Sequence, residues 1–365
     1  MIVVWISILA YFLLWTIFNC LCLPRFKKPT HAYDELVSVL IPLRNEEANV
    51  PKLIESLNQL SYPSLEMVLY DDESTDQTYF LLNKLTAHDE RYHVIRGKQD
   101  VNWNGKVHAC HQLGQVATGS YYMFIDADVT LHPQCIEHVV AHFHHTNSDC
   151  LSSFPQFLYT NWLDRLLVPN MHFLVHVYLP ILIANRTKWP AASAANGAFI
   201  AFTKTCYQSI GGHLAVKNSL IEDIELARAV KRANFSFQLV RAKPFIQCEM
   251  YPTAQATWNG FLKNTFSGLN RSYSAAILFS VFTWLFFIMP LPIAIYGVLK
   301  GEFLYTLPFL LALSIRMISD WRAGSNILYS VFYPISQLLL LLILWQSAWM
   351  HATKRKYVWK GREYE

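Results

Sequence analysis

The chain has 365 residues, 53% of them hydrophobic and 15% charged, with a mean hydropathy of +0.20. A soluble domain carries roughly 25% charged residues, so polar surface is short here, and 23 Phe, 19 Tyr and 11 Trp exclude disorder and a coiled coil. A net charge of +4 without a basic stripe argues against a nucleic-acid partner, and seven scattered Cys with no CxxC pair argue against a disulfide framework or a zinc site and suit a reducing compartment. Such a composition describes a membrane protein with a folded head.

Residues 1–23 contain no charge and are long enough to span a bilayer. Pro24, Arg25, Lys27 and Lys28 come next. A signal peptide has its basic residues before the apolar run and a small-residue cleavage site after it, so residues 1–24 read as an uncleaved anchor. The basic flank predicts a cytoplasmic head.

From residue 30 to about 255 short apolar runs alternate with amphipathic stretches. VSVLIP (37–42), MVLYD (67–71), YHVI (92–95) and YYMFID (121–126) read as buried strands, with helices over about 46–59, 76–87 and 105–117. This alternation predicts an α/β head with a parallel sheet and helices on both faces. Ligands of such sheets bind beyond the carboxyl ends of the strands. Polar residues gather at those ends: Arg44-Asn45-Glu46 after the first strand, Asp71-Asp72 after the second, Asp126-Ala127-Asp128 after the fourth.

Asp126 and Asp128 flank one small residue at a strand tip, and paired carboxylates without His or Cys suit a hard cation, Mg²⁺ or Mn²⁺. In YDDESTDQT, helix capping accounts for Ser74, Thr75 and Asp76 but not for Asp71 and Asp72. Lys106 comes after Gly105 at a predicted helix start, where the helix dipole disfavours a cation unless an anion such as a diphosphate is bound; an exposed surface lysine is the plain alternative. Glu222 and Asp223 open a predicted amphipathic helix, either as dipole-complementing acids or with one of them as a general base. Asn196-Gly197, before the strand AFIAFT (198–203), and Gly211-Gly212 are turns or the walls of an acceptor channel. His138, His142 and His145 share a helix face and are expected to be solvated rather than to bind zinc.

Leu166–Ala184 is apolar but interrupted by Asn170, His172, His176 and two prolines, and is expected to be a buried or interfacial segment of the head rather than a span. Residues 256–273, with Trp258, Phe261 and Phe266, read as an interface helix or an ordinary packing helix. Residues 275–299 and 327–349 can span, and a shorter run, 303–315, is closed by Arg316, Asp320 and Arg322 before the basic tail Lys354, Arg355, Lys356 (352–365). Basic flanks on one side require an even number of crossings in the segment 274–351, and three apolar runs do not supply it. The 303–315 run or the Pro334 segment is the candidate for a re-entrant or interfacial element.

Together the motifs resemble the membrane-anchored family 2 glycosyltransferases, over about residues 36–270 and the tail. VSVLIPLRNEEANVPKLIESLNQLSYPSLEMVLYDDESTDQT resembles the nucleotide-sugar half, and GKVHAC (105–110), IDADVTL (125–131) and WKGREY (359–364) resemble the carotenoid (diaponeurosporenoate) and hopanoid-associated branch. The resemblance implies a GT-A-type, Rossmann-like mixed sheet flanked by helices, with transmembrane helices at both ends and multi-pass placement in the cell membrane. It implies that Pro42, Arg44, Glu46, Asp71 and Asp72 line the nucleotide pocket and that Lys106 meets the diphosphate. Asp126 would hold the sugar end and, with Asp128, a divalent cation (Mg²⁺ or Mn²⁺). Asp223, or Glu222, would be the base, and Asn196, Gly197 and Trp258 would meet the acceptor. The processive synthases' Q-x-x-R-W motif is replaced by QATWNGFLKN (255–264), which argues against a polymerase. The implied reaction is inverting transfer from a UDP-sugar to a membrane lipid such as a carotenoid or hopanoid. Its alternatives are transfer to a polyprenyl phosphate and a catalytically inactive membrane partner.

Overall fold

The computed structural model describes all residues except Met1, Gln99, Val101, Asn102, Leu220, Lys356, Lys360, Gly361 and Glu365, so Lys356 of the basic tail and the Lys-Gly step of WKGREY lie outside the described residues. The chain opens with helix α1 (Ile2–Cys22). Then β1 (Val37–Leu43), α2 (Val50–Asn58), β2 (Leu65–Asp71), α3 (Thr78–Thr86), β3 (Tyr92–Arg96), α4 (Gly105–Val116) and β4 (Tyr121–Ile125) alternate as the apolar runs predict. After these come β5 (Val129–Leu131), α5 (Cys135–Thr146), β6 (Cys150–Phe154), β7 (Gln156–Phe157), α6 (Trp162–Leu167), α7 (Pro169–Tyr178) and α8 (Ile181–Arg186). Next are β8 (Phe199–Thr203), α9 (Lys204–Ser209), α10 (Glu222–Arg232), β9 (Phe237–Arg241) and β10 (Ile246–Cys248). The remainder is α11 (Ala254–Gly268), α12 (Tyr273–Thr283), α13 (Pro290–Lys300), α14 (Leu307–Ala323), α15 (Tyr333–Ala352) and a hairpin of β11 (Tyr357–Trp359) and β12 (Arg362–Tyr364).

Two compact units divide these elements: Leu23–Gln156 with Pro180–Cys248, and Met1–Cys22 with Phe157–Leu179 and Glu249–Glu365. The first unit is built on a seven-stranded sheet of order β3-β2-β1-β4-β8-β6-β9. β1, β2, β3 and β4 are parallel, as strand–helix alternation dictates, whereas β8 runs antiparallel to both β4 and β6. The sheet is therefore mixed, as the resemblance implies, and the parallel arrangement expected from alternation is that of its first half. The register pairs Leu43 with Asp71 and Leu40 with Phe124. Three strands thus end near one level, and the polar residues after them share one edge of the sheet. β1 and β2 are buried on both faces, consistent with their near-continuous apolar sequence.

One buried charge sits inside this sheet. Glu66 accepts hydrogen bonds from the Ser38 and Thr118 hydroxyls and from the backbone N–H groups of Thr118 and Gly119. Burial alone would raise its pKa, but these four donors outweigh it and hold the carboxyl below its usual value. A Cβ on Gly119 would stand 2.7 Å from the Leu36 carbonyl oxygen, so the donor loop is open only to glycine.

Among the described residues, the second unit contains four helical stretches long and apolar enough to cross a membrane: Ile2–Cys22, Tyr273–Lys300, Phe303–Ala323 and Ile327–Ala352. The third corrects the sequence reading, because Arg316 and Asp320 do not close the helix. They lie inside α14, buried, with Arg316 Nε 2.8 Å from Asp320 Oδ2. Arg316 Nη1 donates to Asn170 Oδ1 at 2.7 Å and the Ser330 hydroxyl to Asp320 Oδ2 at 2.7 Å. A charged pair so satisfied can continue an apolar helix that would otherwise stop there. Asn170, His172 and His176, in the interrupted apolar stretch, are buried in this same unit; His176 Nδ1 is 2.9 Å from Ser319 Oγ. α7 has ten residues, too few to span.

Candidate active site

The loops after β1 and β2 hold each other. Arg44 donates to the carbonyls of Asp72 (2.5 Å) and Glu73 (3.1 Å), the Asn45 N–H to the Ser74 hydroxyl (3.0 Å), and the Thr75 N–H to Asn45 Oδ1 (2.9 Å). Glu47 and Asp76 take part in two further bonds: the Gln77 N–H donates to Glu47 Oε2, and the Glu47 N–H to Asp76 Oδ2. Asp76 also accepts from the Thr78 N–H at the start of α3, as a capping acid should, but Ser74 and Thr75 serve the neighbouring loop rather than the helix. The motif residues therefore first build a rigid double loop.

Glu46 is buried in that double loop, where its carboxylate accepts from Asn49 Nδ2 at 2.7 Å and its N–H donates to Thr78 Oγ1 at 2.7 Å. Asp71 and Asp72 are also buried. Burial, reinforced by Asp72, raises the pKa of Asp71 against the opposing Ser74 bonds and Arg96. A carboxyl with a raised pKa and an unoccupied buried oxygen, Oδ1, suits a site that receives a hydrogen-bond donor from a ligand.

Beside the double loop lies a cavity lined by Pro42, Lys106, Cys110, Asp126, Gly197, His213, Glu222 and Asp223, among others. Lys106 is in the first turn of α4, and its Nζ is 2.6 Å from Asp126 Oδ1 and 3.5 Å from Glu222 Oε1. The anion that the helix start demanded is supplied by the protein's own carboxylates. Burial works against the lysine's charge, but Asp126 and Glu222 hold its pKa well above the usual value. Gly197 packs against this group: a Cβ there would lie 2.9 Å from Lys106 Nζ, 3.6 Å from Glu222 Oε1 and 3.8 Å from Asp223 Oδ2. The Gly197 and Ile224 N–H groups donate to Asp223. Burial and the neighbouring Glu222 nevertheless push Asp223 up to about 7. A carboxylate poised near neutrality beside a fixed cation is equipped for proton transfer.

Asp128, two residues beyond Asp126, accepts a hydrogen bond from the Cys248 thiol of β10, whose pKa is raised well above its usual value by burial and then by Asp128 and Asp126. Among the described residues no three His, Cys, Asp or Glu side chains gather as a metal site. Two carboxylates match a hard cation in kind, and substrate phosphate oxygens and water would have to complete its shell, as is usual for Mg²⁺. Asn196 is buried behind the cavity wall, its N–H donating to Ser152 Oγ at 3.0 Å. Trp258 belongs to the other unit, on α11, where its indole donates to Gln346 Oε1 at 3.1 Å.

Residues 38–203 match the family model described as glycosyl transferase family 2. The chain carries a family 2 glycosyltransferase domain. It is 25% identical over 267 residues to the 4,4'-diaponeurosporenoate glycosyltransferase of Staphylococcus haemolyticus (strain JCSC1435), covering 71% of this chain and 68% of that protein. It is likewise 25% identical over 255 residues to the protein of that name from Staphylococcus aureus (strain MRSA252), covering 68% and 66%. The matches thus span about two thirds of these relatives. The structure of the mannosyltransferase PcManGT from Pyrobaculum calidifontis, solved with GDP-Man and Mn²⁺, aligns with a TM-score of 0.58 at 14% identity, over 97% of this chain and 100% of that one, a likeness of GT-A fold.

Two cavity or near-cavity groups escaped the sequence reading. His213 is buried, its Nδ1 2.8 Å from the Tyr207 hydroxyl, and burial, with Lys106 nearby, pushes its pKa down to about 3. It enters the cavity as a neutral imidazole. Cys248 reaches Asp128 from a strand far along the chain. The only sequence signal for His213 was its place after Gly211-Gly212, both at positive φ. Two of the three helix histidines depart from a solvated face, while His145 is exposed as expected: His142 is fully buried and 3.0 Å from Gln238 Oε1, and the half-buried His138 ring lies 4.2 Å from that of Phe245.

Proposed function

We propose that this glycosyltransferase transfers a sugar from a UDP-sugar to a membrane lipid with inversion at the anomeric carbon. The observation that carries the reading is the cluster of Lys106, Asp126, Glu222 and Asp223 around Gly197. Asp223 takes the proton of a hydroxyl acceptor, whereas a carboxylate acceptor needs no such base; the acceptor oxygen bonds to the anomeric carbon from one side, and the bond to the diphosphate breaks on the other, releasing UDP. Lys106, drawn toward the diphosphate, stabilises the charge that develops there. The double loop of Arg44, Glu46, Asp71 and Asp72, with Pro42, receives the nucleotide. Asp126 and Asp128 are the residues that would hold Mg²⁺ or Mn²⁺, which when bound neutralises charge on the leaving diphosphate. Asn196 and Gly197 are proposed to meet the acceptor, and Trp258 belongs to the proposed interface helix.

The lipid acceptor is supported by the four helices able to cross a membrane and by the diaponeurosporenoate named in the relatives. The basic flank after α1 supports a cytoplasmic head in a multi-pass cell-membrane protein, with a head over 30–255 and an interface helix over 256–273. A panel of UDP- and GDP-sugars with extracted membrane lipids tests the reading. Label from one UDP-sugar should pass into an organic-soluble product. Transfer only to a polyprenyl phosphate would replace the acceptor, and failure of every donor to bind would remove the enzymatic reading.

A further inference from the structure

The outer edge of the glycosyltransferase domain's sheet is closed by two pieces of chain that adjoin candidate membrane segments or their unit. β9 is the last strand of the sheet, and its free side accepts no further strand in the order. The Arg241 N–H donates to the Pro24 carbonyl at 2.8 Å, and Arg25 bridges to Arg241. Pro24 is two residues beyond the end of α1, which is long and apolar enough to cross a membrane. Two residues back along β9, the Leu239 N–H donates to Asn185 Oδ1 at 2.8 Å, and Asn185 Nδ2 donates to the Leu239 carbonyl at 3.0 Å. Asn185 is on α8, which begins three residues after α7 ends. Both attachments lie within about 7 Å along one strand edge.

Beyond Asn185 the chain forms a built surface. Lys231 Nζ, buried, donates to the carbonyls of Ala184 (2.7 Å) and Ala192 (2.5 Å) and pins both ends of the turn between them. The Thr187 hydroxyl donates to the Ile183 carbonyl, the Trp189 N–H to Thr187 Oγ1, and the Ala192 N–H to the Trp189 carbonyl. While Ile181 and Ala184 are buried, Leu182, Ile183 and Trp189 stand exposed at 36%, 40% and 58%. Arg186 and Lys188 are exposed among them, and Arg25, Lys27 and Lys28 are exposed on the neighbouring attachment. Rigid aliphatic and indole groups interleaved with cations are the composition of a bilayer–water interface.

We propose that this rim, Leu182 to Trp189 with the Arg25–Lys28 segment, docks the glycosyltransferase domain on an anionic lipid surface, with the Trp189 indole at headgroup level. The apolar side chains enter the interface, and the cations pair with lipid phosphates. The same turn leads in seven residues to Asn196-Gly197 at the cavity wall, so docking would hold that wall near the lipid plane. The inference stands on the rim alone and does not require the sugar-transfer reading.

The test uses the full chain in nanodiscs, in a Cys22→Ser background, since the other described cysteines are buried. A bimane label is placed on Trp189→Cys, on Leu182→Cys as a second rim probe, and on Phe80→Cys, an α3 position exposed at 60%. Rim labels should emit blue-shifted and be quenched by spin-labelled phospholipid rather than by aqueous iodide, and the Phe80 label should do the reverse. Raising phosphatidylglycerol from none to about one third should deepen the rim labels, and salt well above physiological strength should undo that. Arg186→Gln with Lys188→Gln should weaken the lipid-charge dependence, and adding Arg25→Gln, Lys27→Gln and Lys28→Gln should abolish it. Rim labels that behave as the Phe80 label does, in every lipid, would overturn the proposal. So would rim burial indifferent to lipid charge, which would replace the anionic surface by a purely apolar contact.

Discussion

Lys106 Nζ stands 2.6 Å from Asp126 Oδ1, joining the first turn of a helix to the tip of the central strand β4. The cation neutralises a carboxylate that would otherwise repel a diphosphate, and it stays charged because Asp126 and Glu222 outweigh the cost of burial. Among the described residues lining the cavity it is the one Lys or Arg, so replacing it strips the wall of its fixed positive charge. Lys106→Met should lower sugar-nucleotide turnover by roughly 10²-fold, the size typical for loss of a preorganised charge-stabilising group. Steady-state release of the nucleoside diphosphate measures this.

Asp223 sets an acid limb. Its pKa is pushed up to about 7 by burial and by Glu222, and a base acts only when deprotonated. Turnover should therefore fall tenfold per pH unit below about 7. Glu222→Gln removes a like charge, so the limb should move to lower pH. A rate profile from pH 5 to 9 on both proteins checks the direction. In stability the sign is opposite to that of an ordinary paired carboxylate. With the folded pKa above the unfolded one, Asp223 favours folding below the unfolded pKa, and this contribution is lost as pH rises through about 7.

Glu66 predicts the reverse dependence. Its folded pKa is lowered by four donors, so its contribution is present above the unfolded pKa near 4.5 and is lost as pH falls through the lower folded value. Glu66→Leu leaves the Ser38, Thr118 and Gly119 donors buried without an acceptor and should cost about 2–4 kcal/mol. Thermal unfolding in detergent between pH 3 and 8 would show wild type losing stability toward the acid end and the variant losing less.

The legibility of the sequence divides at β4. β1 to β4 were readable because each is an apolar run bounded by turn residues, and of the polar groups expected at their ends Asp126 lines the cavity. In the far half only β8 was readable, as the apolar run AFIAFT (198–203), and β6 and β9 were not. β6 reads CLSSF, yet Ser152 and Ser153 are buried, Ser152 bonding to the Phe199 carbonyl and to the Asn196 N–H. Hydrophobicity cannot announce a polar residue whose partners are forty or more positions away. The same reason hid Cys248, which meets Asp128 only in the fold; His213 went unread although its partner Tyr207 is six positions away, because a lone His after a glycine turn carries no pattern. It also cut α14 short at Arg316, a charge acceptable there only because Asp320 and Asn170 surround it.

That pair yields a third stability prediction. Asp320→Leu leaves the Arg316 guanidinium buried without its counter-charge and should cost about 3–5 kcal/mol. Adding Arg316→Met should recover much of the loss, because an apolar pair of similar volume needs no partner. Chemical unfolding of single and double variants in one detergent gives the coupling energy directly.

Gly197 tests the geometry of the cluster rather than its charge. A methyl at this position meets the mobile end of Lys106 at 2.9 Å, which that side chain can yield to at little cost in stability. Gly197→Ala should therefore fold with a nearly unchanged melting temperature while losing more than about tenfold in turnover, since a displacement of the order of an ångström at the reacting centre is expensive. Equal loss of stability and activity would make the glycine a folding requirement only.

If the cavity holding Lys106, Asp126, Glu222 and Asp223 carries out sugar transfer, UDP release reports on it without intermediaries. Full-length protein in nanodiscs with native lipid extract would be offered UDP-sugars with Mn²⁺ or Mg²⁺ and with EDTA, wild type beside Asp223→Asn and Asp128→Ala. Wild type should release UDP from one preferred donor in a lipid-dependent way, suppressed by EDTA, and both variants should lose release, with donor binding retained in Asp223→Asn. Release that persists undiminished in Asp223→Asn, or no release with no nucleotide binding by wild type, would refute sugar transfer at this cavity.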